Sequence, residues 1–207
     1  MTDTALTTAE AELSADIGDT SAAQSAWITL LTNRALRTGW ADPDPKPMLP
    51  LARGLRVYVE GIDPAAAAEY GEIARTPEEA DAAILRLHPP FEQRETTIEN
   101  FSDASRDFAP AVLDRVRAVA AAVPTVVDVI TDRPMVLEPI VDVAAAVTLS
   151  RSASAAALLD VLTGAAEPRG RLPFDVPRSM AAVAASRPDV PVGAANPLFP
   201  FGHGLSL

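Results

Sequence analysis

The sequence has no cysteine, only two histidines and 5% aromatic residues. Without cysteine there are no disulfides, thiol nucleophiles or thiolate metal sites, and the composition suits a reducing, cytoplasmic location. His88 and His203 lie far apart, and neither has a second histidine or a cysteine at metal-ligand spacing, so no metal is expected. No G-x-G-x-x-G follows the first strand of the α/β region and no G-x-x-x-x-G-K-[ST] occurs anywhere, which disfavours nucleotide cofactors. The G-x-S-x-G elbow of a serine hydrolase is also missing. Trp27 and Trp40 read as packing residues, since so few aromatics leave little surface for stacking a glycan. Positive charge is short as well: 17 basic residues against 28 acidic ones give a formal charge of -11. That balance repels phosphate backbones and anionic lipid, so neither nucleic acid nor membrane is an expected partner. No segment reaches the roughly 18 apolar residues of a membrane span. The first twenty residues lack Lys, Arg and an apolar run, which argues against a secretory signal.

What is present is a strand and helix alternation in the second three quarters of the chain. Residues 1–20 read as a disordered leader with little to bury. Residues 21–54 read as a linker or arm: Trp27, Leu30 and Leu31 fall at helical spacing, and the proline-dense "DPDPKPMLPL" ends any helix. From residue 55, "LRVYVEG", "DAAILRL", "PTVVDVIT" and "AAAVTLS" read as strands. Between and after them, "DPAAAAEYGEI" reads as a helix with Asp63 as N-cap, "APAVLDRVRAVAAAV" as a longer one, and "SASAAALLDVLTG" as a helix ended by Gly164. Such alternation predicts a three-layer α/β sandwich over residues 55–207, with a mostly parallel, flavodoxin-like sheet of four or five strands. Ligands bind such sheets beyond the carboxyl ends of the strands. The longest loop there, from His88 to about Phe108, opens with "HPPFEQRE", and loops of that length are usually functional or disordered.

The tail carries the most specific signal. "EPRGRLPFDVPRSM", then "NPLFPFGHGLSL", together with "ITDRPMVLEPIVDVAAAVTLS" and "AALLDVLTGAAEPRGRLP", resembles the carboxyl-terminal α/β sandwich domain of glycoside hydrolase family 3, the β-glucosidase and exo-glucanase family. Four motifs occur in the family's order. "SAWITLLTNRA" resembles the segment that joins the family's catalytic barrel to its sandwich, with Thr32 in place of a lysine.

The resemblance implies a retaining glycosidase, which uses two carboxyl groups about 5 to 5.5 Å apart, one as nucleophile and one as acid/base. In two-domain members the nucleophilic aspartate lies on a (β/α)8 barrel of about 250 residues, for which these 207 residues have no room. The Ser102-Asp103-Ala104 stretch lacks the aromatic of the family's nucleophile motif and is not carried over. In the exo-glucanase branch the strand is followed by G-E-H-P-Y-x-E-x-x-G-D, whose second glutamate is the acid/base. Setting His88-Pro89 on its H-P places Glu92 on that glutamate, with Glu95 and Glu99 in reserve. Arg86-Leu87 and Arg94-Glu95 depart from the pattern on either side.

A general acid needs a desolvated carboxyl. Phe91 and the prolines would supply an apolar wall, while Arg94 paired to Glu92 would push its pKa the wrong way. Arg133, Gly170, Arg171, Pro173 and His203 read as structural motif residues. The expected partners are a separate barrel and, through it, a β-glucoside or oligosaccharide. The competing reading is a non-catalytic binding or assembly module, and a flavodoxin-like ligand domain rests on fold class alone.

Overall fold

In the computed structural model, which describes residues 24–36, 46–89, 105–131, 133–151, 153–186, 193–194 and 196–207, the strand and helix alternation builds one main sheet. In chain order its elements are β1 (Ile28–Asn33), β2 (Ala35–Leu36), β3 (Lys46–Pro47), β4 (Arg56–Glu60), α1 (Pro64–Ala67), β5 (Glu72–Ile73), β6 (Ala82–Leu87), α2 (Pro110–Ala122), β7 (Thr125–Ile130), α3 (Glu138–Val141), β8 (Ala146–Ser150), α4 (Ala155–Leu162) and α5 (Met180–Ala185). The main sheet has the order β1-β8-β7-β6-β4-β5, and β2 pairs β3 in a separate two-stranded ribbon. All neighbours in the main sheet are parallel except β1 and β8. Numbered among themselves, the five parallel strands run 2-1-3-4-5, the flavodoxin-like order.

Alternation along each strand divides the core into two layers. Ala83, Leu85, Val127, Val129, Val147 and Leu149 pack with Val116 and Val119 of α2 and Ile140 of α3. Their neighbours Ala82, Ile84, Val126 and Ala146 pack with Ala67 of α1 and with Leu158, Leu159, Val161 and Leu162 of α4. Because both faces are covered, the central strands are apolar nearly throughout, and each fully buried Leu or Val contributes about 1.5–3 kcal/mol.

Local signals set the helix ends. Asp63 caps α1, its Oδ1 accepting from the Ala65 amide at 3.0 Å, with Pro64 in the first turn, where a missing N–H costs nothing. Ser154 caps α4 in the same way, and Gly164 follows that helix at φ +74°.

Two expectations need correction. The segment around Trp27 is not a helix: Ser25–Trp27 form a single 3-10 turn and Ile28–Asn33 the antiparallel edge strand β1. The spacing misleads because Ile28, Leu30 and Leu31 are all buried, Ile28 and Leu30 in the α1/α4 layer and Leu31 in the other, so one strand with an irregular register at Leu30/Thr32 fills both faces. Second, the main sheet has six strands rather than four or five, because β1 and the two-residue β5 add to both edges.

Candidate functional site

The carboxyl ends of β4 and β6 meet where the strand order reverses, the position at which doubly wound sheets bind ligands. Gly61 follows β4 at φ +70°, and any Cβ there would lie 2.2 Å from the Arg86 carbonyl oxygen, so the end of β4 packs directly on β6. His88 and Pro89 follow β6 at this edge. Glu92, Glu95 and Glu99 lie outside the described residues, as do Phe91, Arg94, Ser102 and Asp103.

A polar row crosses the sheet beneath this edge. Arg86, Asp128 and Thr148 are register partners on β6, β7 and β8. Arg86 Nε donates to Asp128 Oδ2 at 2.8 Å. Thr148 Oγ1 donates to Oδ1 at 2.8 Å and Ser150 Oγ to Oδ2 at 3.1 Å. Asp128 and Thr148 are wholly buried, and the Arg86 side chain is 7% exposed. Burial pushes the Asp128 carboxyl above the usual carboxylate range, and the Arg86 guanidinium and the two hydroxyls offset only part of that rise. Arg86 Nη2, also buried, has no hydrogen-bond partner among the described residues. Motif reading passed over this row, although its signal is present: a single charge inside each of the apolar strands "AAILRL" and "TVVDVI".

The other described carboxylate at the switch point is Glu60, at the end of β4. It accepts from Tyr58 Oη at 2.6 Å and from Arg115 Nε at 2.8 Å, with Arg115 Nη2 as a further donor. Burial raises its pKa, but the bonds from Arg115 and Tyr58 outweigh burial and leave it below the usual carboxylate range. Glu60 is therefore held ionised, which unsuits it to donate a proton near neutral pH.

Arg133 stands in the turn after β7, where its amide donates to Thr131 Oγ1 at 3.2 Å. Arg106 beside it donates from Nη1 to the Pro134 carbonyl at 3.2 Å. Burial and the neighbouring Arg133 charge lower the Arg106 pKa.

The tail motifs come together at the outer edge of β1, away from this crevice. Gly170 donates its amide to the Ile28 carbonyl at 3.1 Å and Leu205 its amide to Leu30 at 2.8 Å. Leu172 and His203 are joined by a backbone bond of 2.9 Å, and Arg171 Nη1 donates to the Gly170 carbonyl at 3.1 Å. Pro173 is exposed between Leu172 and Phe174. Trp27, expected to pack, is 52% exposed; Trp40 lies outside the described residues.

A shallow groove of about 320 Å³ lies at the opposite, amino edge, lined by Ala122, Val123, Pro124, Ala145 and Arg34 among others. It holds no carboxylate or imidazole. Among the described residues there is no cluster of three or more His, Asp or Glu placed to hold a metal ion, and no helix is long and apolar enough to cross a membrane.

Residues 4–207 match the family model described as "Glycosyl hydrolase family 3 C-terminal domain". The chain belongs to this family, as the carboxyl-terminal domain found in β-glucosidases. A β-glucosidase C from Emericella nidulans is 42% identical over 188 residues, covering 88% of this chain and 29% of the relative. A periplasmic β-glucosidase/β-xylosidase from Dickeya chrysanthemi is 42% identical over 168 residues, 76% of this chain and 25% of the relative. The family 3 chain thus spans less than a third of the curated relatives it matches. Among solved structures, a β-glucosidase from Chaetomella raphigera superposes with a TM-score of 0.67 at 20% identity, over 93% of this chain and 36% of that one. A Listeria innocua β-glucosidase solved with isofagomine gives 0.65 at 19% identity, over 91% of this chain and 33% of that one. At those identities the likeness establishes the fold.

Proposed function

We propose that this domain works as the sandwich half of a retaining β-glucosidase and brings an acid/base carboxyl, Glu92, over the active site of a (β/α)8 barrel that carries the nucleophile. The observation that supports this most is the position of His88-Pro89 at the carboxyl end of β6, beside the reversal of strand order, in a family 3 domain. The relatives' names point to β-glucosides as substrates, cleaved through the complex of the two domains.

The chemistry divides cleanly on this reading. The barrel aspartate attacks the anomeric carbon, and Glu92 gives its proton to the departing oxygen. Glu92 then takes a proton from the water that hydrolyses the glycosyl intermediate. The first step needs a carboxyl kept neutral by desolvation. Glu60 is barred from that duty by its ion pair with Arg115, and Asp128 by its complete burial inside the sheet, out of reach of a substrate. By itself the domain has no nucleophile to pair with Glu92, so it is inactive until joined to a barrel. The test is hydrolysis of cellobiose, whose leaving oxygen needs a proton, by this chain alone, by the chain with its barrel, and by the Glu92→Gln chain with the barrel. Activity only in the second mixture supports the assignment. The cytoplasmic location expected from the sequence is likewise a proposal, tested by cell fractionation; the Dickeya relative is called periplasmic.

A further inference from the structure

We propose that the apolar outer edge of β1 is a docking face for the chain's own leader, with residues 6–17 laid on it as a short amphipathic helix. This seat is independent of the acid/base assignment.

The face stands out by what it exposes. Among the described residues the exposed large hydrophobics are Trp27, Phe201, Leu205 and Leu207. All four belong to the start of β1 or to the tail that runs along it. Leu205 pairs antiparallel with Leu30, so the chain beyond it heads towards the start of β1, where Trp27 stands. Phe201 sits on the turn whose next amide, that of Gly202, donates to the Leu172 carbonyl at 2.9 Å. Apolar side chains gathered on one surface mark an interface. The rim of this one is basic, in a chain of formal charge -11. Arg151, Arg169 and Arg171 are exposed there. The register of Ile28 with Ser150 brings Arg151 beside Trp27, and the Arg169 amide meets the Ser25 carbonyl at 3.5 Å. A Cβ on Gly204 would come within 2.7 Å of Arg171 Nη1, which sets that guanidinium next to Leu205.

The leader matches this face in charge and in pattern. Residues 1–23 lie outside the described residues, and they hold five acidic side chains and no basic one. Thr7-Thr8-Ala9-Glu10 is a capping box with Leu6 just before it, and Gly18 follows Ile17 as a stop. Leu6, Ala9, Leu13 and Ile17 recur at helical spacing and make one stripe, with Glu10 on one flank and Glu12 and Asp16 on the other. A helix of about ten residues is marginal in water, so a leader expected to be disordered by itself orders only against a face. Apolar anchors at such spacing are the pattern by which a helix docks in an apolar groove. The path is short as well. Gln24 has a helical backbone, φ -70° and ψ -23°, and its Oε1 accepts from the Ser154 amide at 2.8 Å, which pins the exit of the leader next to Trp27. A second copy of the chain fits the face less well, because two molecules of charge -11 repel.

The experiment uses the whole 207-residue chain carrying Trp40→Phe, which leaves Trp27 as its one indole. Trp27 should emit at short wavelength and be protected from acrylamide, at every protein concentration. Leu13→Asp with Ile17→Asp, changes outside the sandwich core, should move the emission to longer wavelength and abolish the protection. Arg151→Glu with Arg169→Glu should do the same, and Glu12→Lys with Asp16→Lys added to that pair should restore the protection. Exposure of Trp27 in the chain with its native leader overturns the proposal, as does a charge swap that restores nothing. Protection that survives Leu13→Asp with Ile17→Asp also overturns it, and where that protection grows with concentration the occupant is a second copy.

Discussion

His203 donates from Nε2 to the carbonyl oxygen of Leu31 at 2.9 Å, which ties the last turn of the chain to the edge strand β1. A carbonyl only accepts, so the contact fixes the proton on Nε2. The ring also stacks on Phe199, with centroids 4.7 Å apart. His203→Ala removes both contacts and is expected to lower stability by about 1–3 kcal/mol, read as a fall in the urea midpoint. An unchanged midpoint would show that the tail closes without the ring.

Gly170 is held to the same strand by the absence of a side chain. A Cβ there would lie 2.5 Å from Thr29 Oγ1 and 2.6 Å from the Ile28 carbonyl oxygen. Since backbone atoms of a packed strand cannot yield, Gly170→Ala should cost at least about 1–3 kcal/mol, as overpacking does. The reference is Gly54→Ala, where no neighbour lies within 4 Å and only the φ of +80° opposes the change. A smaller loss at Gly170 than at Gly54 would contradict the packing at β1.

Asp175 anchors the loop before the tail through three amides: Gly193 at 2.7 Å, Ala194 at 3.1 Å and Phe201 at 2.7 Å. Partial burial raises its pKa, and the amides of Gly193, Phe201 and Ala194 more than offset that, leaving it below the usual range. A carboxyl depressed in the folded state stabilises above its unfolded pKa of about 3.9, and that contribution disappears as pH falls through the folded value. Protection of the Phe201 amide from hydrogen exchange should therefore be full at neutral pH and decline in acid, and Asp175→Ala should abolish it at every pH. Equal protection in the variant would refute the anchor.

The Arg86–Asp128 pair lends itself to a double-mutant cycle. Asp128→Ala leaves a buried guanidinium without its counter-ion and should cost about 3–5 kcal/mol. Arg86→Met combined with Asp128→Leu removes both charges and should unfold at or above the native midpoint. If the double variant is as unstable as Asp128→Ala, the pair is contributing stability.

Much of this architecture is legible in the residues. The apolar runs from Arg56 to Ser150 give the parallel strands, and Asp63-Pro64 and Gly164 mark helix ends where the structure has them. β1 is harder to read, because a strand buried on both faces gives no period-2 signal and Trp27, Leu30 and Leu31 mimic a helical stripe. β5 is two residues long, too short for any pattern, and is recruited by pairing with Arg56 and Val57. At the site, alignment leads to Glu92 and marks Arg86 only as a departure from the pattern; its pairing with Asp128 emerges once β6 and β7 are set in register. Glu60 stands at the end of β4, and the fold alone brings Arg115, 55 residues away, to hold it ionised.

Glu92 as the acid/base is tested most directly by the leaving-group dependence of hydrolysis in the reassembled enzyme. Nitrophenolate departs without much help from an acid, whereas the sugar oxygen of cellobiose needs a proton. With the barrel present, Glu92→Gln should cut hydrolysis of cellobiose by about 10²–10⁴-fold, the range of general acid catalysis, and glycosylation by the nitrophenyl glucoside much less. Equal rates for Glu92→Gln and the native chain on cellobiose would contradict the account.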